Sequence, residues 1–396
     1  MRFDVNKIRQ DFPALEHKVC GKPFIYLDNA ATAQMPRQVL DAVWELEAWR
    51  GNVHRGIHTV SENCTAAYEN ARKTCAAFLG AKPAQIVFTS GATGGINRIA
   101  NVFPQIYAGG VVTTALEHHS NYVPWQQMCQ HEHRPFQVLR TLPDGTLNLE
   151  TLGQLLDRDI SLLAVSQCSN VLGMMNPISE ICEFAHKRGI HVLVDGAQSA
   201  CHEKIDVSAM GCDYFVLSGH KLGAPFGIGL LYCKTPIPPT VFGGGMVDRV
   251  TEAETTFDVF PLSMEAGTPN VSGAVGLAAA ITYRNQIPDG WMEHERTLIA
   301  LAEGQLSMMP EIKILGTPPH VGCLSFTIDG VQPFDAAVLL DKLGIALRSG
   351  HHCAAPLLNS MGLEYTLRIS PSFYNTAEEI DTFCTGLQRV IPMLKR

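Results

Sequence analysis

The chain has 396 residues, 46% hydrophobic and 17% charged, a globular balance that excludes an intrinsically disordered protein. Its 30 Lys and Arg against 38 Asp and Glu leave a net charge of −8, which excludes the broad basic surface of a general nucleic-acid binder. The 12 cysteines never fall at CxxC spacing, so neither a disulfide framework nor a zinc ribbon is expected, and the compartment is expected to be reducing.

Residues 1–13 carry charge throughout and lack an apolar h-region, so no secretory signal is expected there. Met35–Arg50 places Val39, Leu40, Val43, Trp44 and Leu46 at helical spacing, with Pro36 tolerated in the first turn. Short β-rich runs come next at Gln85–Thr89, Val111–Thr114, Leu162–Val165, His191–Val194, Tyr214–Leu217 and Gly229–Tyr232. Most are separated by enough chain for a crossover helix, and HVLV, SLLAV and YFVL are apolar on both faces, as buried parallel strands are. This predicts an α/β fold with a mostly parallel sheet. A helix-rich stretch begins near Val271 and leads into a second α/β unit with strands near Cys323–Ile328 and Thr366–Ile369, the transition being placed near residue 280. The apolar helical stretch Val271–Tyr283 falls short of the roughly 20 residues of a membrane span. A soluble, cytoplasmic protein without membrane or nucleic-acid partners is therefore expected.

Ligands of open α/β sheets bind beyond the carboxyl ends of the strands. The polar residues predicted there are Thr93 in SGATGG, His118 and His119 in ALEHHSN, Asn170, Asp195 and Gln198 in VDGAQS, and Ser218, His220 and Lys221 in SGHKLGAP. Each has an ordinary reading as a cap or turn residue. Their concentration on one sheet edge asks for a common explanation. The loop Ser90–Gly95 lacks both the GK[ST] of a P-loop and GxGxxG, so a single small phosphate at the start of the helix Ile96–Asn101 suits it better. Lys221 offers a Schiff-base amine, and Asp195, 26 residues earlier, offers a carboxylate for a protonated ring nitrogen. Phosphate, pyridinium and aldehyde are the three handles of pyridoxal 5'-phosphate.

Over nearly its whole length the chain resembles the fold-type I pyridoxal-phosphate enzymes of the class V aminotransferase superfamily, and within them the group II cysteine desulfurases of the SufS/CsdA type, which include selenocysteine lyases. The resemblance rests on YLDNAATAQMP, NVHRGIHTVSE, ALEHHSNYVPW, SNVLGMMNPI, VDGAQS, SGHKLGAPFGIG, EAGTPN, RSGHHCAAP and LRISPSFYNT, in order. It implies that Lys221 holds the cofactor aldehyde, Asp195 its pyridinium and Gln198 its phenolate oxygen. His118 stacks on the ring, and Ala92 (through its backbone), Thr93, Ser218 and His220 bind phosphate. Thr268 reaches the cofactor of a neighbouring subunit in a homodimer. Asn170 and Arg368 are assigned to the substrate carboxylate, and His54, Arg55 and Arg348 to substrate binding more broadly. Cys353 becomes the nucleophile that takes sulfur from L-cysteine, or selenium from L-selenocysteine, with His118 the candidate for moving a proton at that atom. The expected organisation is a large cofactor-binding domain over residues 23–280 and a small domain over 1–22 plus 281–396 carrying the Cys353 loop.

Two departures are visible. The phosphate loop reads Ala92-Thr93-Gly94 where this family has TTE-like residues, one hydroxyl and one carboxylate fewer, and Gly243–Met246 lacks an acidic residue common there. Phe334 stands 19 residues before Cys353, where members that pass sulfur to a zinc scaffold have a histidine, so a SufE/CsdE-like acceptor is expected. No metal site is expected, since His351, His352 and Cys353 alone fall short of a closed ligand set. His131 and His133 read most simply as surface residues, and the other eleven cysteines as structural. A class V transaminase and a non-catalytic dimeric scaffold remain as alternatives.

Overall fold

The computed structural model describes residues 3–395. Seven strands form the large sheet: β1 (Ile86–Thr89), β2 (Gly110–Thr114), β3 (Phe136–Leu139), β4 (Ile160–Ser166), β5 (His191–Asp195), β6 (Tyr214–Ser218) and β7 (Gly229–Cys233). They lie in the order β1-β7-β6-β5-β4-β2-β3. Only β7 runs against its neighbours, pairing antiparallel with both β1 and β6. Val192, Leu193 and Val194 of β5 expose no surface, and each such apolar side chain contributes about 2 kcal/mol of transfer free energy. That burial on both faces is what an uninterrupted apolar run requires.

In and around the large sheet, the structure departs from the sequence reading at three points. Strand β3 was not foreseen, because its residues are mostly half-buried at the sheet edge and give no continuous apolar run. The antiparallel direction of β7 was not legible either: only five residues separate Gly223, which ends the turn after β6, from Gly229. The helix after β1 begins at Ala92 and runs to Ile106, so Thr93, Gly94 and Gly95 belong to its first turn rather than to a preceding loop. Glycines there argue for a loop by propensity. Packing overrides this, because a Cβ at Gly95 would meet Val216 Cγ1 of β6 at 2.9 Å.

The helices Arg37–Ala48 and Thr59–Phe78 pack with Val271–Gln286 on one side of the large sheet. The second has His58 at its N-cap, whose ring accepts the Ser61 N–H, and Glu62 in its first turn. A separate core belongs to an antiparallel sheet in the order Ile312–Ile314, Leu324–Ile328, Thr366–Ile369, Arg348–Gly350. The helix Ala377–Leu394 covers it, started by a capping box between Thr376 and Glu379. Residues 25–27, expected with the large unit that was placed over 23–280, join this second core: Ile25–Tyr26 pairs with Ile345–Ala346, and Ile25 and Leu27 are buried there. The helix that opens at Val271 continues to Gln286, and its residues as far as Ile281 pack on the large-unit core. The N-terminal segment bridges the two units. Arg9 pairs with Glu379 at 2.8 Å, whereas Asp11 accepts from Tyr283 at 2.8 Å.

Candidate active site

Strands β1, β2, β4, β5 and β6 end at one edge of the sheet, where a cavity of about 230 Å³ opens against the second unit. Because the strands are parallel, residues distant in sequence leave the sheet at the same place. Of the predicted residues, Ala92, Thr93, His118, Asn170, Asp195, Gln198, Ser218, His220, Lys221, Arg348, Cys353 and Arg368 all line this one cavity.

Lys221 follows β6 on the short turn Gly219–Leu222, which Gly223 ends at φ +85°. Among the described residues its amine has no hydrogen bond or ion pair, and burial lowers its pKa against the opposing pull of Asp195. Asp195 ends β5 and accepts the Ala197 N–H at 2.9 Å, with burial raising its pKa. Gln198 donates to the Ala30 carbonyl at 2.9 Å. Burial, with Lys221 as the next cause, pushes His118 down to about 3 and His220 down to about 4, so both rings are neutral near pH 7. His220 Nδ1 is buried without a partner.

At the start of the Ala92–Ile106 helix, the Ala92 N–H donates to Ser218 Oγ at 2.9 Å. Thr93 and Ser120 share a hydrogen bond of 2.7 Å, and Ser120 Oγ lies 2.9 Å from His118 Nδ1. Ser120 was not singled out from sequence, although it stands two residues after His118 in the same motif. Glu117, also missed, is fully buried behind the wall. It accepts from Thr114 at 2.6 Å, Asn121 at 2.6 Å and the Ser166 N–H at 2.9 Å, and burial pushes it up to about 7.

The opposite wall comes from the second unit. Arg368 is buried, donating to the Asn170 carbonyl at 2.7 Å and to Asp28 Oδ1 at 3.1 Å, while its Nε has no partner. Asn170 Nδ2 donates in turn to the His352 carbonyl at 2.8 Å. The cationic fork is thus held on two sides, with its Nε buried and unpaired among the described residues. Cys353 is half-buried and, like His352, has a left-handed backbone, with φ of +54° and +51°. Such a conformation is costly for residues with a side chain and persists only where the surroundings over-determine it. Cys168 also lines the cavity, but burial holds its thiol well above the ordinary range, which makes it a poor nucleophile.

The structure does not bring His54, Arg55 or Thr268 to this cavity. His54 pairs with Glu69 at 3.0 Å, Arg55 donates to the Val247 carbonyl at 2.8 Å, and Thr268 is exposed on the loop before the Val271–Gln286 helix. A glycine is accommodated at position 94 because Ser90 Oγ fills the space, lying 2.5 Å from where a Cβ would stand. Among the described residues, no group of three or more His, Cys, Asp or Glu is placed to hold a metal, and no helix is long and apolar enough to cross a membrane.

Pyridoxal phosphate fits the donor set. An unpaired buried amine, a buried carboxylate with one oxygen engaged, an orphaned imidazole nitrogen and a helix N-terminus flanked by hydroxyls match its aldehyde, ring nitrogen and phosphate. The class-V aminotransferase model matches residues 25–383. The chain is 43% identical to a cysteine desulfurase of Escherichia coli O127:H6 and 44% identical to one of Enterobacter sp. strain 638, with all of this chain and all of each relative covered. Among solved structures it is similar to the cysteine desulfurase CsdA (S-sulfonic acid) of Escherichia coli, with a TM-score of 0.92, 35% identity and 100% of both chains covered. It is also similar to the apo cysteine desulfurase of Thermococcus onnurineus NA1, with a TM-score of 0.93, 34% identity and coverage of 100% of this chain and 99% of that one. The chain belongs to the class-V aminotransferase family and, within it, groups with the cysteine desulfurases.

Proposed function

We propose that this protein is a pyridoxal-phosphate-dependent cysteine desulfurase that converts L-cysteine to L-alanine and carries the released sulfur as a persulfide on Cys353. The observation that carries the reading is the half-exposed Cys353 opening onto the same cavity as Lys221 and Arg368. Lys221, Asp195, Gln198, His118, Ala92, Thr93, Ser218 and His220 would hold the cofactor, which when bound supplies a sink for the electrons left on the substrate Cα. Thr268 is assigned to the site of a second copy in a homodimer, and with His54 and Arg55 it stands outside the cavity of its own chain.

The substrate carboxylate is assigned to Arg368 at the cavity wall, with Asn170 and Arg348 beside it; a planar guanidinium is suited to recognising a carboxylate. Burial lowers the Lys221 pKa and so favours the neutral amine, the form that takes a proton from Cα. His118, neutral in its buried setting, is suited to moving a proton at the substrate sulfur. The Cys353 thiolate attacks that sulfur, so an S–S bond forms as the C–S bond breaks. L-Cysteine and the Cys353 thiol thereby become L-alanine and the Cys353 persulfide, and no outside oxidant or reductant enters the balance. The persulfide then passes to a SufE/CsdE-like acceptor cysteine for iron-sulfur cluster assembly in the cytoplasm, a choice supported by Phe334 at the position where a zinc-ligating histidine would be needed. The large domain spanning most of residues 23–280 supplies the cofactor wall, and the small domain supplies the loop.

Incubation with L-cysteine, with alanine measured and intact mass followed, tests the proposal. A gain of one sulfur on Cys353 with stoichiometric alanine is the expected result, and Cys353→Ser is expected to abolish sulfur release. Alanine formation by the Cys353→Ser variant at the parent rate would overturn the role of Cys353. A variant that loses activity on L-cysteine yet keeps it on L-selenocysteine would identify a lyase in which only the sulfur substrate needs the thiol.

A further inference from the structure

We infer that His119 is a positioning residue that docks the Cys353 loop onto the wall of the large unit, so that the thiol is delivered to the cavity from a locked backbone. The inference rests on the reading of Cys353 as the sulfur-accepting thiol. Its own evidence is a set of contacts outside the residues assigned to cofactor and substrate.

Two consecutive residues with side chains, His352 and Cys353, sit in the left-handed region. That backbone region is unfavourable for residues with a side chain, so something must hold them there. Both polar groups of the Cys353 peptide are engaged by neighbouring histidines. The Cys353 N–H donates to His351 Nδ1 at 3.0 Å, and the Cys353 carbonyl accepts the backbone N–H of His119 at 2.6 Å. The His119 ring adds a second contact, its Nε2 accepting the Ala355 N–H at 3.1 Å. The His119 and His351 rings face each other with centroids 5.5 Å apart and planes inclined at 38°. His119 therefore grips the chain twice just after Cys353 Cα, once through its backbone and once through its ring, while His351 holds the peptide N–H before it. It comes from the turn after β2, which also carries His118. One short segment of the large unit thus sets both the group placed beside the cofactor and the distance to the thiol. His352 anchors the far side, with its Nε2 2.8 Å from Thr366 Oγ1.

Only the ring contact can be removed by substitution. His119→Leu removes the acceptor for Ala355, whereas His119→Gln restores an acceptor oxygen. Losing one acceptor for a peptide N–H is expected to release the loop by about tenfold in its docking equilibrium. With the holoenzyme, alkylation of Cys353 by iodoacetamide, monitored by intact mass, is expected to be about tenfold faster in His119→Leu. Persulfide formation from L-cysteine is expected to be slower by a similar factor, with the absorbance of the bound cofactor unchanged. His119→Gln is expected to return both rates to within about threefold of the parent. An alkylation rate in His119→Leu equal to the parent's overturns the docking role, as does equal impairment of the Gln and Leu variants. The reading of Cys353 fails separately: sulfur release by Cys353→Ser overturns it whatever the His119 variants do.

Discussion

The two walls of the cavity are built on opposite principles. The cofactor wall stands on ends of buried parallel strands, where Asp195 and Ser218 terminate strands with almost no exposed surface and Lys221 follows within three residues. The thiol wall stands on a half-exposed loop that has two left-handed residues and whose Cys353 and Ala355 N–H groups each donate a single hydrogen bond to a histidine ring. A group that must keep one position through every turnover gains from a rigid sheet. A thiol that must enter the cavity to receive sulfur and then present it outside gains from a loop whose docking is worth little more than a few hydrogen bonds. On the proposed reading, the difference places the fixed chemistry at Cα and the transfer of sulfur on separate units of the chain.

The largest way to break this comparison is on the rigid side. If Lys221 is the attachment amine and base as proposed, Lys221→Ala is expected to lower L-cysteine turnover by at least about 10³-fold, measured as alanine released. Thermal unfolding of the apoprotein is expected to move little, because the parent amine has no partner to lose.

The next effect tests the junction between the walls. Arg368 is held by Asp28 and the Asn170 carbonyl, a two-sided grip that a lysine cannot reproduce. Arg368→Lys is expected to raise KM for L-cysteine by about 10- to 100-fold, with a smaller loss in kcat. Asp28→Asn, which keeps a side-chain oxygen but loses the charge, is expected to raise KM by about 3- to 10-fold, placing it between parent and Arg368→Lys. A KM unchanged by Asp28→Asn would mean that the Asn170 carbonyl alone orients the guanidinium.

The smallest effect concerns acid. Burial and then the nearby arginines push His352 down to about 2, and burial and Lys221 push His118 down to about 3, from an ordinary value near 6.5. The unfolded chain therefore binds protons that the folded one refuses once pH falls below 6.5. Stability conferred by the neutral rings is complete above that value and declines as pH drops toward 3, by up to about 1.4 kcal/mol per pH unit for each ring. Tm is expected to fall between pH 6.5 and 4, and His352→Asn is expected to flatten part of that slope. A slope unchanged by His352→Asn would assign the acid sensitivity to His118 and the cofactor wall.

Much of the cofactor wall was legible in sequence because its physics is local. A buried parallel strand must be apolar on both faces, and the residues just beyond its carboxyl end must be polar if a ligand binds there. HVLVD, YFVLSGHK and the ALEHH turn each state that rule within a few residues. The resemblance added roles that spacing alone does not assign, above all for Cys353 and Arg368. Ser120 and Glu117 escaped notice because a serine or glutamate beside a histidine motif has no periodicity to mark it; their partners, Thr93 and Ser166, are far away in the chain.

By itself, the sequence determined the α/β class, the strand ends that carry chemistry and the membership of one family, since these arise from patterns within single elements or in register along the chain. Only the tertiary structure decided the direction of β7, the helical state of Gly94 and Gly95, and the placement of residues 25–27 with the second core. It also decided that His54, Arg55 and Thr268 stand apart from this chain's cavity, and that the Cys353 loop rests on His119. Each of these depends on which surfaces come to face one another, as when Gly95 must lack a Cβ because Val216 lies against it. Local propensity carries no record of such contacts, which exist only once the two units have packed.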